Sequence, residues 1–466
     1  MLQDLHMPRK LPSLRLTARR RWLAIALFSL LLTACGGGGS SDSANQSLTC
    51  SAADQKSWLA SYMDDWYFWT AFSPKPAPGP YADALAYLAA LRYTGTDSRY
   101  PADRWSYTQG SDAFNSFFTD GTTLGYGLAV AGLELAKDGS KPLYVRYVEA
   151  GSPAALRGVQ RGDQIISANG RTAASMVAAD DYAALSAATA GETLTVVVRG
   201  SDGVDRARVL TSAVFNLVPV QGAAIQTTAG GRKLGYLAVK DMISQALSPA
   251  DAAFAQFKAA GVADVVLDLR YNGGGLVSTG ATLAGYISGS RGAGLNYARL
   301  IYNDKHSASN ASYPFAVPGA ALSLPRVFVL MGRRTCSASE QLINGLRGAG
   351  LNVVTIGETS CGKPVGFQPT THCGTVYSVV NFESVNARSE GRYFDGFQAT
   401  CQVAENFRTA VGAITDPLLV AAAYHADNGA CPAGTALREQ PQSRTATSRK
   451  RYDGADGGER TGMSAR

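Results

Sequence analysis

The chain has 466 residues, 46% of them hydrophobic and 17% charged, with 50 glycines and 19 prolines. That length allows about three domains, and the apolar fraction excludes wholesale disorder and collagen-like repeats. The net charge of +7 belongs to the ends: residues 1–34 hold six Lys/Arg against one Asp and residues 433–466 hold seven Lys/Arg against four acids, which leaves residues 35–432 at −1. The body therefore lacks the basic footprint of a nucleic-acid binder.

The first element is an address. Arg9, Lys10, Arg15, Arg19, Arg20 and Arg21 precede the apolar run Trp22 to Ala34, whose 13 residues fall short of the roughly 20 that a membrane span needs. A basic stretch followed by such a run has the anatomy of a secretory signal. Its end, Leu32-Thr33-Ala34-Cys35, resembles the bacterial lipobox. The resemblance implies cleavage before Cys35 and acylation of that cysteine. With Gly36 next, it also implies an outer-membrane lipoprotein facing the periplasm or the cell surface. Acyl chains anchor without a spanning helix, each buried CH₂ adding about 0.8 kcal/mol. A plain signal peptide with an incidental cysteine is the alternative. Residues 1–34 are thus read as the signal and residues 35–49, with GGGGSSDSAN, as a flexible tether.

Six cysteines remain beyond Cys35, and an even number in an exported chain suggests disulfides. Proximity in sequence suggests Cys361 with Cys373 and Cys401 with Cys431, while Cys336 stays open as a buried thiol. No CxxC or His-rich spacing supports a metal site, and no cofactor is expected.

Residues 50–120 read as an N-terminal helical domain. Ser51 and Asp54 offer N-cap chemistry, and Trp58, Leu59, Tyr62, Met63 and Trp66 recur at helical spacing. Such an aromatic stripe is expected to pack in a core. Pro74, Pro76, Pro78 and Pro80 separate it from a second helix, Tyr81 to Arg92.

Residues 121–215 are β-rich, with strands expected at Leu124 to Val130, Leu143 to Val148, Gln164 to Ala168 and Thr193 to Arg199. Asn169-Gly170 suits a turn that needs positive φ. The segment GSPAALRGVQRGDQIISANG resembles the core of a PDZ domain, and Gly125-Tyr126-Gly127-Leu128 matches the loop whose N–H groups capture a peptide carboxylate in such domains. Glycines and one loop can also be purely structural.

Residues 216–432 alternate strands (Leu234 to Val239, Val265 to Leu269, Val327 to Met331, Val353 to Ile356) with helices (Pro249 to Ala260, Ser339 to Arg347). That rhythm predicts an α/β domain. Residues 433–466, low in apolar content, are expected to be a disordered tail.

Two segments of the α/β domain could carry chemistry. In Asp268-Leu269-Arg270-Tyr271-Asn272-Gly273-Gly274-Gly275 a buried strand runs into a glycine turn able to present N–H groups at close range. It lacks the GK[ST] ending of a phosphate loop. Cys336-Ser337-Ala338-Ser339-Glu340 follows an apolar strand and opens a helix. By spacing alone, Ser337 and Glu340 form a capping box. The same strand–turn–helix junction also exposes a nucleophile beside helix N–H groups. No GxSxG is present, so the α/β-hydrolase elbow does not apply. None of the histidines sits in a triad motif. Lys363, in Gly357-Glu358-Thr359-Ser360-Cys361-Gly362-Lys363, becomes a base only if burial lowers its ammonium from about 10.4 to the ~7–8 that proton abstraction needs.

Taken in order, the PDZ signature, DLRYNGGG, SASE and GETSCGK resemble the C-terminal processing (tail-specific) serine peptidases over roughly residues 100–430. The resemblance implies an α/β multidomain fold: an N-terminal helical segment, a PDZ-like domain and a ClpP/crotonase-like peptidase core. It implies Ser337 as nucleophile, Lys363 as general base, Ala338 with Gly274 or Gly273 as oxyanion donors, and Glu340, Arg270 and Asp268 as supports. The family's lysine-orienting glutamine falls at Phe367 here, and Gln368 follows as a substitute. The partners implied are protein or peptide substrates with free C-termini, with no nucleic acid and with membrane contact through Cys35. Two alternatives stay open: a ligand-binding protein on the same fold, as the retinoid-binding proteins of the eye are, and a PDZ lipoprotein that scaffolds another protease.

Overall fold

The computed structural model describes residues 50–435 and 462–465. The signal, Cys35 and the tether lie outside the described residues. Among those described, no helix is long and apolar enough to cross a membrane.

Ser51 caps the first helix, Ala52–Trp66, by accepting the Asp54 N–H at 3.1 Å, and Asp83 caps Ala84–Leu91 by accepting the Ala86 N–H at 2.8 Å. The proline run between them cannot supply helical donors. Leu59, Met63, Leu88 and Leu91 face inward, as the apolar spacing predicts. Trp58 and Trp66 stay half-buried, stacked on His372 and His306 at 4.2 and 3.5 Å. Tyr67, Trp69 and Tyr93 extend this cluster onto Val365, Phe367 and Val380. The helical reading of residues 51–120 is interrupted after Leu91, and helix resumes only over Ser111–Asn115 and Ser116–Asp120. Tyr107–Gly110 is a strand paired antiparallel with Thr375–Ser378, a partner too distant in sequence for local pattern to reveal.

The next domain is an antiparallel sheet in the order Leu128–Val130, Leu143–Val148, Gln164–Ala168, Thr193–Arg199, Asp205–Thr211. Val145, Ile165, Leu194, Val196 and Val198 point into one core, the period-2 alternation of a half-buried sheet. The single strand expected over Leu124 to Val130 is two, Thr122–Gly125 and Leu128–Val130. Gly127 breaks it at φ +78°, and a Cβ there would strike Ser152. Leu128–Val130 ends up as the edge strand.

The third domain holds two sheets. One runs Val220–Thr227, Lys233–Val239, Asp264–Asp268, Arg326–Met331, Asn352–Gly357, Cys401–Gln402, parallel after an antiparallel first pair. Helices Leu247–Ala260, Val277–Ser288 and Ala338–Gly348 cover the face of Val265, Leu267, Val327 and Val329. Helix Pro417–Asn428 covers the opposite face of Val266, Phe328, Leu330 and Val354. Burial on both faces is why these strands read as continuous apolar runs.

The other sheet runs Gly274–Leu276, Gly462–Ser464, Val365–Phe367, Val380–Val385, Asn296–Tyr302, Ala311–Pro314. Its short, glycine-bearing members give no strand pattern. Gly462–Ser464 pairs parallel with both neighbours, and Met463 is fully buried. This corrects the disordered tail expected over residues 433–466 as far as residues 462–465 are concerned. A strand flanked on both sides needs no amphipathic pattern of its own.

Three disulfides form: Cys50–Cys373, Cys336–Cys361 and Cys401–Cys431. The last is the pairing expected. Cys361 with Cys373 is corrected, because the fold sets Cys361 beside Cys336 with Cα atoms 5.2 Å apart and brings Cys373 to Cys50. Cys336 is therefore not a free thiol.

Candidate active site

The two sequence segments meet. Asn272 is the joint: its side-chain amide donates to Val239 O (2.9 Å), and its carbonyl accepts from the Cys336 N–H (3.1 Å) and the Ser339 hydroxyl (3.0 Å). Thr335 donates to Leu269 O at 2.8 Å. The glycine turn and the Ser337 turn are thus pinned along their length. No role for Asn272 was read from the sequence, although it lies inside the quoted motif.

Ser337 occupies the N-cap of Ala338–Gly348 at φ +58°, a left-handed conformation that a non-glycine residue adopts only under constraint. Glu340 Oε2 accepts the Ser337 N–H at 3.0 Å, which is one half of a capping box. The other half is weak: the Ser337 hydroxyl lies toward the first turn but makes no hydrogen bond among the described residues, although it is fully buried.

Glu340 also organises the second segment. Its carboxylate accepts the Gly362 N–H (2.8 Å), the Lys363 N–H (2.8 Å) and the Ser360 hydroxyl (2.5 Å). The N–H groups of Ser337 and Lys363 therefore converge on one oxygen, Oε2. Cys336–Cys361 clamps the same two turns covalently. Burial pushes the Glu340 carboxyl up, against the pull of these four donors.

Lys363 is fully buried. Burial disfavours its ammonium and brings the pKa down to about 7, with Asp103 and Glu340 pulling the other way. Its Nζ lies 3.9 Å from the centre of the Phe367 ring. Gln368 is exposed, with its N–H on Asn381 Oδ1. The structure thus sets Phe367 against the lysine and leaves Gln368 apart from it. The Phe367 ring is itself held edge-on by Tyr107 at 5.6 Å.

Of the candidate oxyanion donors, Ala338 is the first helical residue, whose N–H has no intrahelical acceptor. Gly274 takes φ +110°, and its N–H donates to Asn272 Oδ1 at 2.9 Å. Gly273 precedes it in the same turn. Asp268 and Arg270 form a buried network: Arg270 Nε donates to Asp268 Oδ1 at 3.0 Å and Nη2 to Asp416 Oδ2 at 2.6 Å, while Tyr236 donates to Asp268 at 2.7 Å. The described histidines are engaged elsewhere, His306 on Trp66 and Asp65, His372 on Trp58, and His425 against Phe328.

The β-rich domain reaches both segments. Arg334, three residues before Ser337, forms a bidentate pair with Glu134 at 2.7 and 3.0 Å. Arg161 donates to the Tyr271 hydroxyl and to Glu405, and the Arg146 guanidinium lies 4.9 Å from the Tyr271 ring centre. Tyr126 is buried, Gly125, Gly127 and Leu128 flank it, and the edge strand begins at Leu128.

Residues 233–384 match peptidase family S41, residues 144–200 a PDZ domain, and residues 54–107 the peptidase S41 N-terminal domain. The chain is 30% identical over 244 residues to the chloroplastic C-terminal processing peptidase of Tetradesmus obliquus, covering 50% of each chain. It is 25% identical over 238 residues to the carboxyl-terminal-processing protease of a Synechocystis strain, covering 50% of this chain and 53% of that one. The chain thus spans about half the length of these curated relatives. The fold is similar to that of a Bacteroides fragilis protein assigned to the S41 proteases, with TM-score 0.62, 25% identity, and coverage of 80% of this chain and 97% of the other.

Proposed function

The chain belongs to peptidase family S41, with its N-terminal domain and a PDZ domain, and from that premise we propose that it is a serine endopeptidase of the C-terminal processing type. Lys363, neutral in a large share of molecules near pH 7, takes the Ser337 proton. Ser337 Oγ attacks the scissile carbonyl, and the Ala338 N–H with the glycine turn receives the oxyanion. The amine leaves with the proton returned by Lys363, and water then cleaves the acyl-enzyme. The observation that carries this reading is the pair itself: a fully buried serine hydroxyl without a hydrogen bond, tied through one Glu340 oxygen to a fully buried lysine held near pKa 7.

The substrate's C-terminal tail binds at Gly125, Tyr126, Gly127 and Leu128, its strand added to the open edge at Leu128–Val130. Acylated Cys35 holds the enzyme at the outer membrane. Both belong to the same proposal.

The test is cleavage of an unstructured protein with an apolar C-terminus by wild type, Ser337→Ala and Lys363→Ala. Loss of at least about 10³-fold in both variants, with folding intact, is expected. Equal cleavage by all three would overturn the assignment. A ligand-binding protein would retain the fold and cleave nothing.

A further inference from the structure

The strand Gly462–Ser464 lies between the two strands that lead out of the catalytic turns. Gly462 stands opposite Gly274, Met463 opposite Gly275, and Ser464 opposite both Leu276 and Phe367. The Ala465 N–H donates to Phe367 O at 3.1 Å, and the Tyr313 hydroxyl donates to Ala465 O at 3.2 Å. Without this segment, Gly274–Leu276 and Val365–Phe367 would present two facing edges with no strand between them. A slot of that kind takes one extended peptide by backbone pairing, with side-chain pockets supplying selectivity.

The pocket is built for one side chain. Met463 is fully buried and its sulfur accepts from Gln341 Nε2 at 3.2 Å. Gln341 lies four residues after Ser337, on the same helix face one turn along. Its amide is held in turn by Ser384 at 2.7 Å. Glycine at 366 leaves the strand room: a Cβ there would meet Met463 O at 2.8 Å.

We propose that Gly462–Ala465 is an intramolecular occupant of the substrate slot, a built-in competitor that blocks Ser337 until an extended peptide with a long apolar residue at the Met463 position displaces it. The proposal rests on the peptidase reading for its consequence on rate. The occupancy of the slot stands without it. Ser337 and Lys363 are both fully buried with the strand in place, which accords with a covered site.

The test compares the full chain with Met463→Glu and Met463→Leu. Placing a carboxylate in the pocket forfeits the buried thioether, an interaction large enough to predict a rise of about tenfold or more in kcat/KM on casein for Met463→Glu. Met463→Leu stays near wild type. The synthetic peptide Thr-Gly-Met-Ser-Ala inhibits Met463→Glu competitively, whereas the same peptide with Glu for Met does not. In the Ser337→Ala background, which cannot turn over, amide exchange in residues 274–276 and 365–367 accelerates with Met463→Glu and slows again when the peptide is added. Unchanged rate and unchanged exchange in Met463→Glu would overturn the proposal. Shifted exchange with no cleavage by any form would uphold the occupied slot and overturn the peptidase reading instead.

Discussion

At the residue scale, the energetics centre on two buried ionisable groups. A lysine whose folded pKa is about 7 against an ordinary 10.5 binds fewer protons folded than unfolded between those values, so its penalty on stability is full below pH 7 and fades as pH rises toward 10. Lys363→Met should therefore stabilise the protein at pH 6, by on the order of a few kcal/mol, and by progressively less up to pH 10. Chemical denaturation across that range checks the sign. Glu340→Ala should cost about 3 kcal/mol or more, because four donors lose a buried acceptor at once, and a lowered Tm is the readout. Phe367→Ala should admit water beside the ammonium and move the inflection of the pH–rate profile upward. An unmoved inflection would show that the ring does not set the lysine.

At the element scale, the disulfide Cys336–Cys361 joins the turn of Ser337 to the turn of Lys363. Its reduction should lower activity more than the paired Cys401→Ser/Cys431→Ser replacement does, because the latter bridge sits at the far edge strand. Assays with and without reductant on both forms decide this. What the sequence could disclose follows from how local each signal is. The central parallel strands are apolar throughout and the first helix carries its own cap, so both were legible. The second sheet was not, since strands such as Val365–Phe367 owe their existence to distant neighbours. In the site, Ser337, Lys363 and Glu340 could be named from motif order. Asn272 as the joint and Phe367 as the lysine's neighbour could not, because each acts through a contact made only in the folded chain. The expected Cys361–Cys373 pair failed for the same reason, whereas Cys401–Cys431 forms as its sequence proximity suggested.

At the scale of the whole molecule, three domains converge on one turn. The N-terminal aromatic cluster closes over the strand after Lys363, and Asp103 from that domain bears on the lysine's charge. The PDZ domain grips the other side through Arg161 on Tyr271 and through Glu134 on Arg334. Tyr271 adjoins Asn272 in sequence, so a displacement of the PDZ domain should reach the joint of the site. Arg161→Ala should consequently lower kcat on a short peptide that does not reach the PDZ loop, while the isolated stability of the core changes little. An effect confined to KM on long substrates would place Arg161 in binding alone.

The most direct test of the account is the pH dependence of kcat/KM for a short internally quenched peptide. Activity should climb with pH through an inflection near 7 and level above it, as Lys363 loses its proton. A profile that is flat from pH 5 to 9, or one that falls as pH rises through 7, would contradict Lys363 as the base that activates Ser337.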